Sequence, residues 1–143
     1  MDRIVVGVDG SETSQRALAW ALEDARRRGG ATVEAVHAWE PPVLVGGPVG
    51  TVPPVPVDGP YTDAGHQLVT DVLAAVDTTG VTVEPVVLEG PPGAVLCDRS
   101  TDAALLVLGS HGHGRFATAM LGSTSHTVLH HAPCPVAVVR GDR

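Results

Sequence analysis

Residues 109–125, GSHGHGRFATAMLGSTS, combine bare glycines with a cluster of hydroxyl side chains. Without a β-carbon, glycine lets backbone N–H groups approach a ligand closely, and hydroxyl groups supply further hydrogen-bond donors. The closing residues also open a predicted helix, whose first N–H groups have no partner within the helix and attract anions. The segment therefore predicts a cradle for the phosphates of a triphosphate ligand, closed by Gly122, Ser123, Thr124 and Ser125.

The charge of the chain is consistent with a phosphate site built from backbone groups. The 143 residues carry a net charge of -7, and all nine basic residues are arginines. Such a balance argues against nucleic acid as a partner, because neutralising its phosphates takes many cations. We expect Arg115 to cover the terminal phosphate and Mg²⁺ to offset the remaining charge through phosphate oxygens and water.

Composition indicates one globular domain spanning residues 1–143. Hydrophobic residues make up 43% and charged residues 17% of the chain, and no apolar run is long enough to cross a membrane. The amino-terminal residues lack the layout of a secretory signal, so we expect a cytoplasmic protein. Cys97 and Cys134 are expected to be buried free thiols rather than a disulfide.

Strand and helix patterns alternate along the whole chain. The apolar run at residues 3–8 predicts a buried strand, and Ser11 is a natural cap for the helix that follows. Further strands are predicted at 31–39, 81–88, 104–109 and 135–140, with helices at 62–80, 92–101 and from about Gly122 to His131. Pro85 places the third strand at an edge.

This alternation predicts an α/β fold, a single doubly wound, Rossmann-like domain with five parallel strands in the order 3-2-1-4-5 and four helices. In that order the first and fourth strands are neighbours. Ligands of such sheets bind beyond the carboxyl ends of the strands where the strand order reverses. The ends of these two strands are therefore expected to form one crevice.

The segment at residues 40–61 is rich in Pro and Gly and unusually apolar for a loop. It is either a surface connection or a lid or intersubunit strap, since exposed apolar side chains tend to find a surface to cover.

The glycines also follow a defined spacing, G-x2-G-x9-G-[S/T], formed by Gly109, Gly112 and Gly122-Ser123. With this spacing the chain resembles the universal stress protein family, in its ATP-binding branch. The likeness extends over the whole chain, from RIVVGVDGSETSQRAL through SHGHG to GSTSHTVLHHAPCPVAVVR. The resemblance implies an ATP-binding regulatory protein with little or no hydrolysis, although slow ATPase activity stays open.

The resemblance also implies roles for individual residues. Asp9 would lie beside the adenosine, Ala38 would line the adenine pocket, and Ser123 would help to clamp the phosphates. Beside Asp9, Gly7 and Val8 would form a wall of the pocket, and Leu108 and Gly109 would lie behind the sugar and base. The residues implied around the phosphates are Gly112, His113, Gly122, Ser123, Thr124 and Ser125. Ala38 is smaller than the valine often found there, which predicts a looser base pocket.

Several of these features have a structural alternative. Asp9 precedes Gly10 and could instead organise the turn into the first helix. His126 and His130 are spaced four apart on one helix, but no HExxH motif or nearby carboxylate completes a metal site, so we expect surface or partly packed histidines. Trp20 and Trp39 are expected to pack in the core or against loops.

Two other functions compete with the ATP-binding reading. An adenylating enzyme of the ATP pyrophosphatase type would need SGGxDS after the first strand, where this chain has VDGSETS. A nucleotide-free dimeric interaction protein would use the glycines only for turns. We expect a homodimer whether or not the protein binds a nucleotide, because the last strand is a short apolar strand at the edge of the sheet. Its pairing with a second copy would use Val136, Val138 and Val139. The regulatory protein partner is not identified by the sequence.

Overall fold

A computed structural model describes residues 2–41, 60–110 and 122–141. In these ranges nine elements alternate between strand and helix: β1 Arg3–Gly7, α1 Glu12–Arg27, β2 Thr32–Trp39, α2 Pro60–Ala74, β3 Thr82–Glu89, α3 Pro92–Arg99, β4 Leu105–Gly109, α4 Ser123–His131 and β5 Val136–Val139. The strands form one sheet in the order β3-β2-β1-β4-β5. Every pairing in the sheet is parallel, so the predicted fold class and strand order are confirmed.

The central strands are apolar because both faces of the sheet are covered by helices. Val6 pairs with Ala35 on one side and Val107 on the other. The face covered by α1 and α2 buries the larger cluster, with Leu18, Leu22 and Val69 among its members. The opposite face is covered by α3 and α4 and buries a smaller cluster. Strands β1 and β4 therefore each contribute side chains to both clusters.

Helix boundaries differ from the sequence predictions where local turn chemistry ends or starts a helix. Helix α2 ends at Ala74 instead of residue 80. Beyond it, the Asp77 carboxylate accepts from the N–H of Thr79 and Gly80 has a φ of +79°, which forms a turn. The same helix begins at Pro60, inside the loop predicted at residues 40–61. Proline suits the first turn because its missing N–H has no helical partner there.

Two predictions about packing are corrected by the observed exposure. Trp20 is 41% exposed on α1, so of its two predicted surroundings, the core or a loop, the core is wrong. Cys97 and Cys134 are free thiols, as predicted, but both are half-buried. They lie against the smaller core beneath α3 and α4.

The amino end of β2 contains a buried carboxylate that the sequence pattern did not reveal. The side chain of Glu34 is 6% exposed and accepts hydrogen bonds from Arg99 at 2.8 Å and Arg3 at 3.2 Å. Arg3 also donates to the carbonyls of Arg99 and Thr101. This network ties β1, β2 and the end of α3 together toward the amino ends of the strands, opposite the predicted crevice.

None of the helices in the described ranges combines the length and the apolar character needed to cross a membrane.

Candidate functional site

A cleft opens at the carboxyl ends of β1 and β4, the place that the predicted strand order indicated. Its space amounts to about 570 Å³ when the open solvent at its mouth is included. Every predicted contact residue that the structure describes lines this cleft: Gly7, Val8, Asp9, Ala38, Leu108, Gly109, Gly122, Ser123, Thr124 and Ser125. The fold therefore brings together four segments that are distant in sequence.

The wall after β1 is fixed by hydrogen bonds to β2. The N–H of Val8 donates to the carbonyl of Val36 at 2.9 Å. The carbonyl of Val8 accepts from the Nδ1 of His37, also at 2.9 Å. Because both backbone groups of Val8 are bonded in this way, the position of the next residue, Asp9, is well determined.

Asp9 organises the turn that leads into α1. Its Oδ1 accepts from the N–H of Ser11 at 2.9 Å, and Ser11 in turn caps the helix by accepting from the N–H of Ser14 at 3.2 Å. The predicted cap and the turn role considered for Asp9 are both confirmed. Asp9 also lines the cleft, while its contact with adenosine stays a prediction.

The glycine-rich segment is closed at its base by the sheet. The N–H of Ser110 donates to the carbonyl of Val139, and the N–H of Gly122 donates to the carbonyl of Ser110 at 2.8 Å. The two ends of the segment therefore meet beside β4. The predicted phosphate contacts at Gly112, His113 and Arg115 lie outside the described residues.

The amino end of α4 lines the cleft, and its N-cap residue brings no capping side chain. Gly122 is the N-cap residue and provides no side-chain hydrogen bond to the helix. The first intrahelical bond runs from the N–H of His126 to the carbonyl of Gly122. The N–H groups of Thr124 and Ser125 precede that bond, and such groups, with the helix dipole behind them, favour a bound anion.

Gly122 does not need to be glycine for conformational reasons. Its φ of -67° and ψ of 163° are open to every residue. The absence of a side chain matters on the cleft side, where Gly122 is part of the lining. This geometry is consistent with close approach of a ligand to the backbone.

Gly109, in contrast, is required by packing within the protein. A β-carbon there would lie 2.7 Å from the carbonyl carbon of Thr13 and 2.9 Å from the nitrogen of Ser14. These are backbone atoms of the first turn of α1. The first glycine of the signature therefore allows α1 to sit against the end of β4.

Ser125 joins α4 to β4. It is 3% exposed, and its hydroxyl donates to the carbonyl of Gly109 at 2.9 Å. A serine hydroxyl has one hydrogen to donate. The side chain of Ser125 thus positions the helix, and its predicted phosphate contact stays a prediction for the backbone N–H.

Three apolar residues of the cleft were missed by the sequence prediction: Val36, Pro92 and Leu96. Pro92 and Leu96 belong to α3. This helix packs closely on α4, since a β-carbon on Gly93 would lie 2.7 Å from the methyl group of Thr127. The proline and glycine at the start of α3 were the available signal for this approach. These residues give the cleft an apolar wall opposite the amino end of α4.

Few of the described residues that line the cleft could act as an acid or base. Among the described residues of the lining, Asp9 is the one with a titratable side chain. Its Oδ1 already accepts from Ser11. The described part of the lining therefore offers one titratable side chain beside backbone groups, hydroxyls and apolar side chains.

A family model described as the universal stress protein family matches residues 1–140. The chain belongs to the universal stress protein family. A universal stress protein of Mycobacterium tuberculosis is 35% identical over 144 residues, covering 97% of this chain and 48% of that protein. The chain thus spans about half the length of the curated relatives it matches.

Solved structures of universal stress proteins share the fold. One, determined in complex with cAMP, has a TM-score of 0.71 at 23% identity and covers 96% of both chains. Another, from Arabidopsis thaliana with AMP bound, has a TM-score of 0.66 at 22% identity and covers 99% of this chain and 93% of that chain. At these identities the likeness establishes the shared architecture.

Proposed function

We propose that this chain is a regulatory nucleotide-binding module, which binds ATP with Mg²⁺ in the cleft between the ends of β1 and β4. The observation that carries the proposal is that the amino end of α4, whose N-cap residue Gly122 has no side chain, lines that cleft. The complexes of related proteins with AMP and cAMP support an adenine nucleotide as the ligand class.

The adenosine is assigned to the apolar side of the cleft. Ala38, Leu96 and Leu108 line that side, and apolar walls with a few fixed polar groups are what a base and sugar require. The carboxyl group of Asp9, which accepts from the Ser11 N–H in its turn, is proposed to accept hydrogen bonds from the adenosine.

The phosphates are assigned to the amino end of α4. Backbone N–H groups at residues 123–125 and the Thr124 hydroxyl would donate to phosphate oxygens. The Ser125 hydroxyl holds this end of the helix in place by donating to Gly109. Arg115 is proposed to cover the terminal phosphate, and Mg²⁺ to bind through phosphate oxygens and water.

Binding without rapid turnover is the proposed activity. Hydrolysis needs a group that orients or deprotonates an attacking water. Asp9 is the candidate among the described lining residues, and its turn-forming bond to Ser11 ties it to a structural role. We therefore propose that the bound nucleotide acts as a signal to partner proteins. Slow hydrolysis would only limit how long the ATP-bound form lasts. The two free cysteines fit a reducing, cytoplasmic setting.

A homodimer formed through β5 is proposed as the functional unit. Strand β5 is the last strand of the sheet order, and its residues are half-buried. Val136 and Val139 pack into the two cores, so an edge pairing would use the backbone of β5 and the exposed parts of these side chains and of Val138.

Calorimetric titration of ATP with Mg²⁺ into the wild type and into Gly122→Asp tests the nucleotide proposal. Aspartate is a better N-cap than glycine by a few tenths of a kcal/mol. It would bond to the same N–H groups and place a negative charge where the phosphates are expected. We therefore expect saturable binding by the wild type and loss of binding by a variant that is as stable as the wild type.

Gly80→Asp is the matched control, because it makes the same chemical change at an exposed glycine with nothing within 4 Å. The φ of +79° at Gly80 is a conformation that aspartate tolerates better than most residues. This control is expected to bind ATP like the wild type. Equal binding by Gly122→Asp would overturn the phosphate assignment, and absence of wild-type binding would favour the nucleotide-free interaction protein.

The dimer is tested by light scattering on a size-exclusion column. The wild type at micromolar concentration is expected to show twice the 14.6 kDa mass of the chain. Val138→Lys places a charge at the edge and should yield the monomer, whereas Val138→Thr keeps the shape and should remain dimeric. A wild-type monomer would reject the β5 interface.

A further inference from the structure

The outer face of α4 carries a cluster of exposed histidines. The rings of His126 and His130 have centres 4.6 Å apart and are tilted by 59°. His131 is more distant, with its ring centre 6.3 Å from that of His130. All three side chains are exposed, so the predicted surface location of His126 and His130 is confirmed, and the pair is also found close together.

The separation of the two rings can be compared with metal coordination geometry. A metal about 2.1 Å from each coordinating nitrogen lies roughly 3.2 Å from each imidazole centre. Such a metal joins ring centres about 4.5 Å apart at a right angle and about 5.2 Å apart at a tetrahedral angle. The 4.6 Å between the ring centres is close to the right-angle value, so rotation of the exposed side chains could direct one nitrogen of each ring at a common metal.

We propose that His126 and His130 form a two-residue chelate for a divalent transition-metal cation, with Cu²⁺ and Ni²⁺ preferred over Zn²⁺. Imidazole nitrogens suit these cations, and square-planar or tetragonal geometry is typical of Cu²⁺ and Ni²⁺. Across residues 2–41, 60–110 and 122–141, no group of three or more His, Cys, Asp or Glu side chains is placed to hold a metal. Water or a ligand from a second molecule therefore completes the coordination.

The chelate lies on the helix that forms the proposed phosphate site but does not depend on nucleotide binding. The N–H of His126 donates the first hydrogen bond of α4 to the carbonyl of Gly122. A metal bridging His126 and His130 would therefore hold the first turns of the helix in helical form. Metal binding and nucleotide binding are expected to be separable, since the imidazoles face solvent and the cleft is lined by Ser123 and Thr124.

Titration of untagged wild-type protein with Cu²⁺, Ni²⁺ and Zn²⁺ by calorimetry tests the proposal. We expect one Cu²⁺ per chain and affinities falling in the order Cu²⁺, Ni²⁺, Zn²⁺. His126→Gln and His130→Gln should each weaken Cu²⁺ binding by at least about tenfold, since even outer-shell partners of a metal contribute roughly 10–100-fold. His131→Gln is the matched control on the same helix and should keep wild-type affinity.

A second control addresses the two histidines of the glycine-rich segment. The double variant His111→Gln/His113→Gln should retain the Cu²⁺ site. The chelate proposal would be overturned by loss of Cu²⁺ binding in that double variant or by an equal loss in His131→Gln. Unchanged Cu²⁺ binding in His130→Gln would also overturn it. Electron paramagnetic resonance of the Cu²⁺-loaded wild type gives an independent result: coupling to two imidazole nitrogens is expected, and coupling to none would refute the proposal.

Discussion

Replacing Gly109 by serine tests whether this glycine serves packing or ligand contact. The added β-carbon would lie 2.7 Å from the Thr13 carbonyl carbon, and an ordinary contact begins at 3.4 Å, so the first turn of α1 must move by about 0.7 Å. That turn is held by the Ser11 cap and by the bond between Ser11 and Asp9. Overpacking of this kind costs about 1–3 kcal/mol.

Urea denaturation followed by circular dichroism measures the effect. The free energy of unfolding of Gly109→Ser is expected to fall by about 1–3 kcal/mol at an unchanged m-value. Gly122→Ser is the matched control, because serine is an equal or better N-cap and the backbone there is unstrained. If Gly109→Ser were as stable as Gly122→Ser, the packing role assigned to Gly109 would be refuted.

Three further predictions concern groups around the cores. Ser125→Ala removes the buried hydroxyl that donates to Gly109, and should lower the free energy of unfolding in urea by about 1–3 kcal/mol; a change below about 0.5 kcal/mol would contradict this tie. Glu34→Gln leaves Arg3 and Arg99 without their carboxylate and should lower the free energy of unfolding by roughly 2–3 kcal/mol. This is less than for a fully buried ion pair, because both arginines keep some exposure. An unchanged free energy of unfolding would show that the network contributes little. Burial raises the pKa of the Cys97 thiol, so the folded chain holds this proton more tightly than the unfolded chain, and the associated stability is lost as pH rises from the ordinary cysteine range through the raised value. Iodoacetamide should accordingly modify Cys97 more slowly in the folded protein than in urea at pH 8, as measured by peptide mass spectrometry, and equal rates would contradict the raised pKa.

The sheet and the position of the cleft could be predicted because they depend on local patterns. Alternating strand and helix signals, together with right-handed crossovers, determine which strands are neighbours. Pro85 marked β3 as an edge, and β3 is one of the two outer strands. The spacing from Gly109 to Gly122 then identified the segments whose ends meet at the cleft.

The functions of individual glycines and hydroxyls could not be predicted, since they depend on contacts between distant parts of the chain. Gly109 packs against Thr13, although the two residues lie near opposite ends of the sequence. Ser125 uses its hydroxyl on β4, although its place in the motif favoured a ligand. The carboxylate of Glu34 is buried in an otherwise apolar strand only because two arginines from other elements reach it.

The central claim is that the amino end of α4 holds the phosphates of an adenine nucleotide. The most direct test is ¹H–¹⁵N NMR of the wild type during titration with ATP and Mg²⁺, compared with titration by adenosine. Hydrogen bonds from backbone N–H groups to phosphate predict large downfield shifts at Ser123, Thr124 and Ser125 with ATP, and little change there with adenosine. Equal shifts with both ligands, or no shift in these three amides at saturating ATP, would contradict the claim.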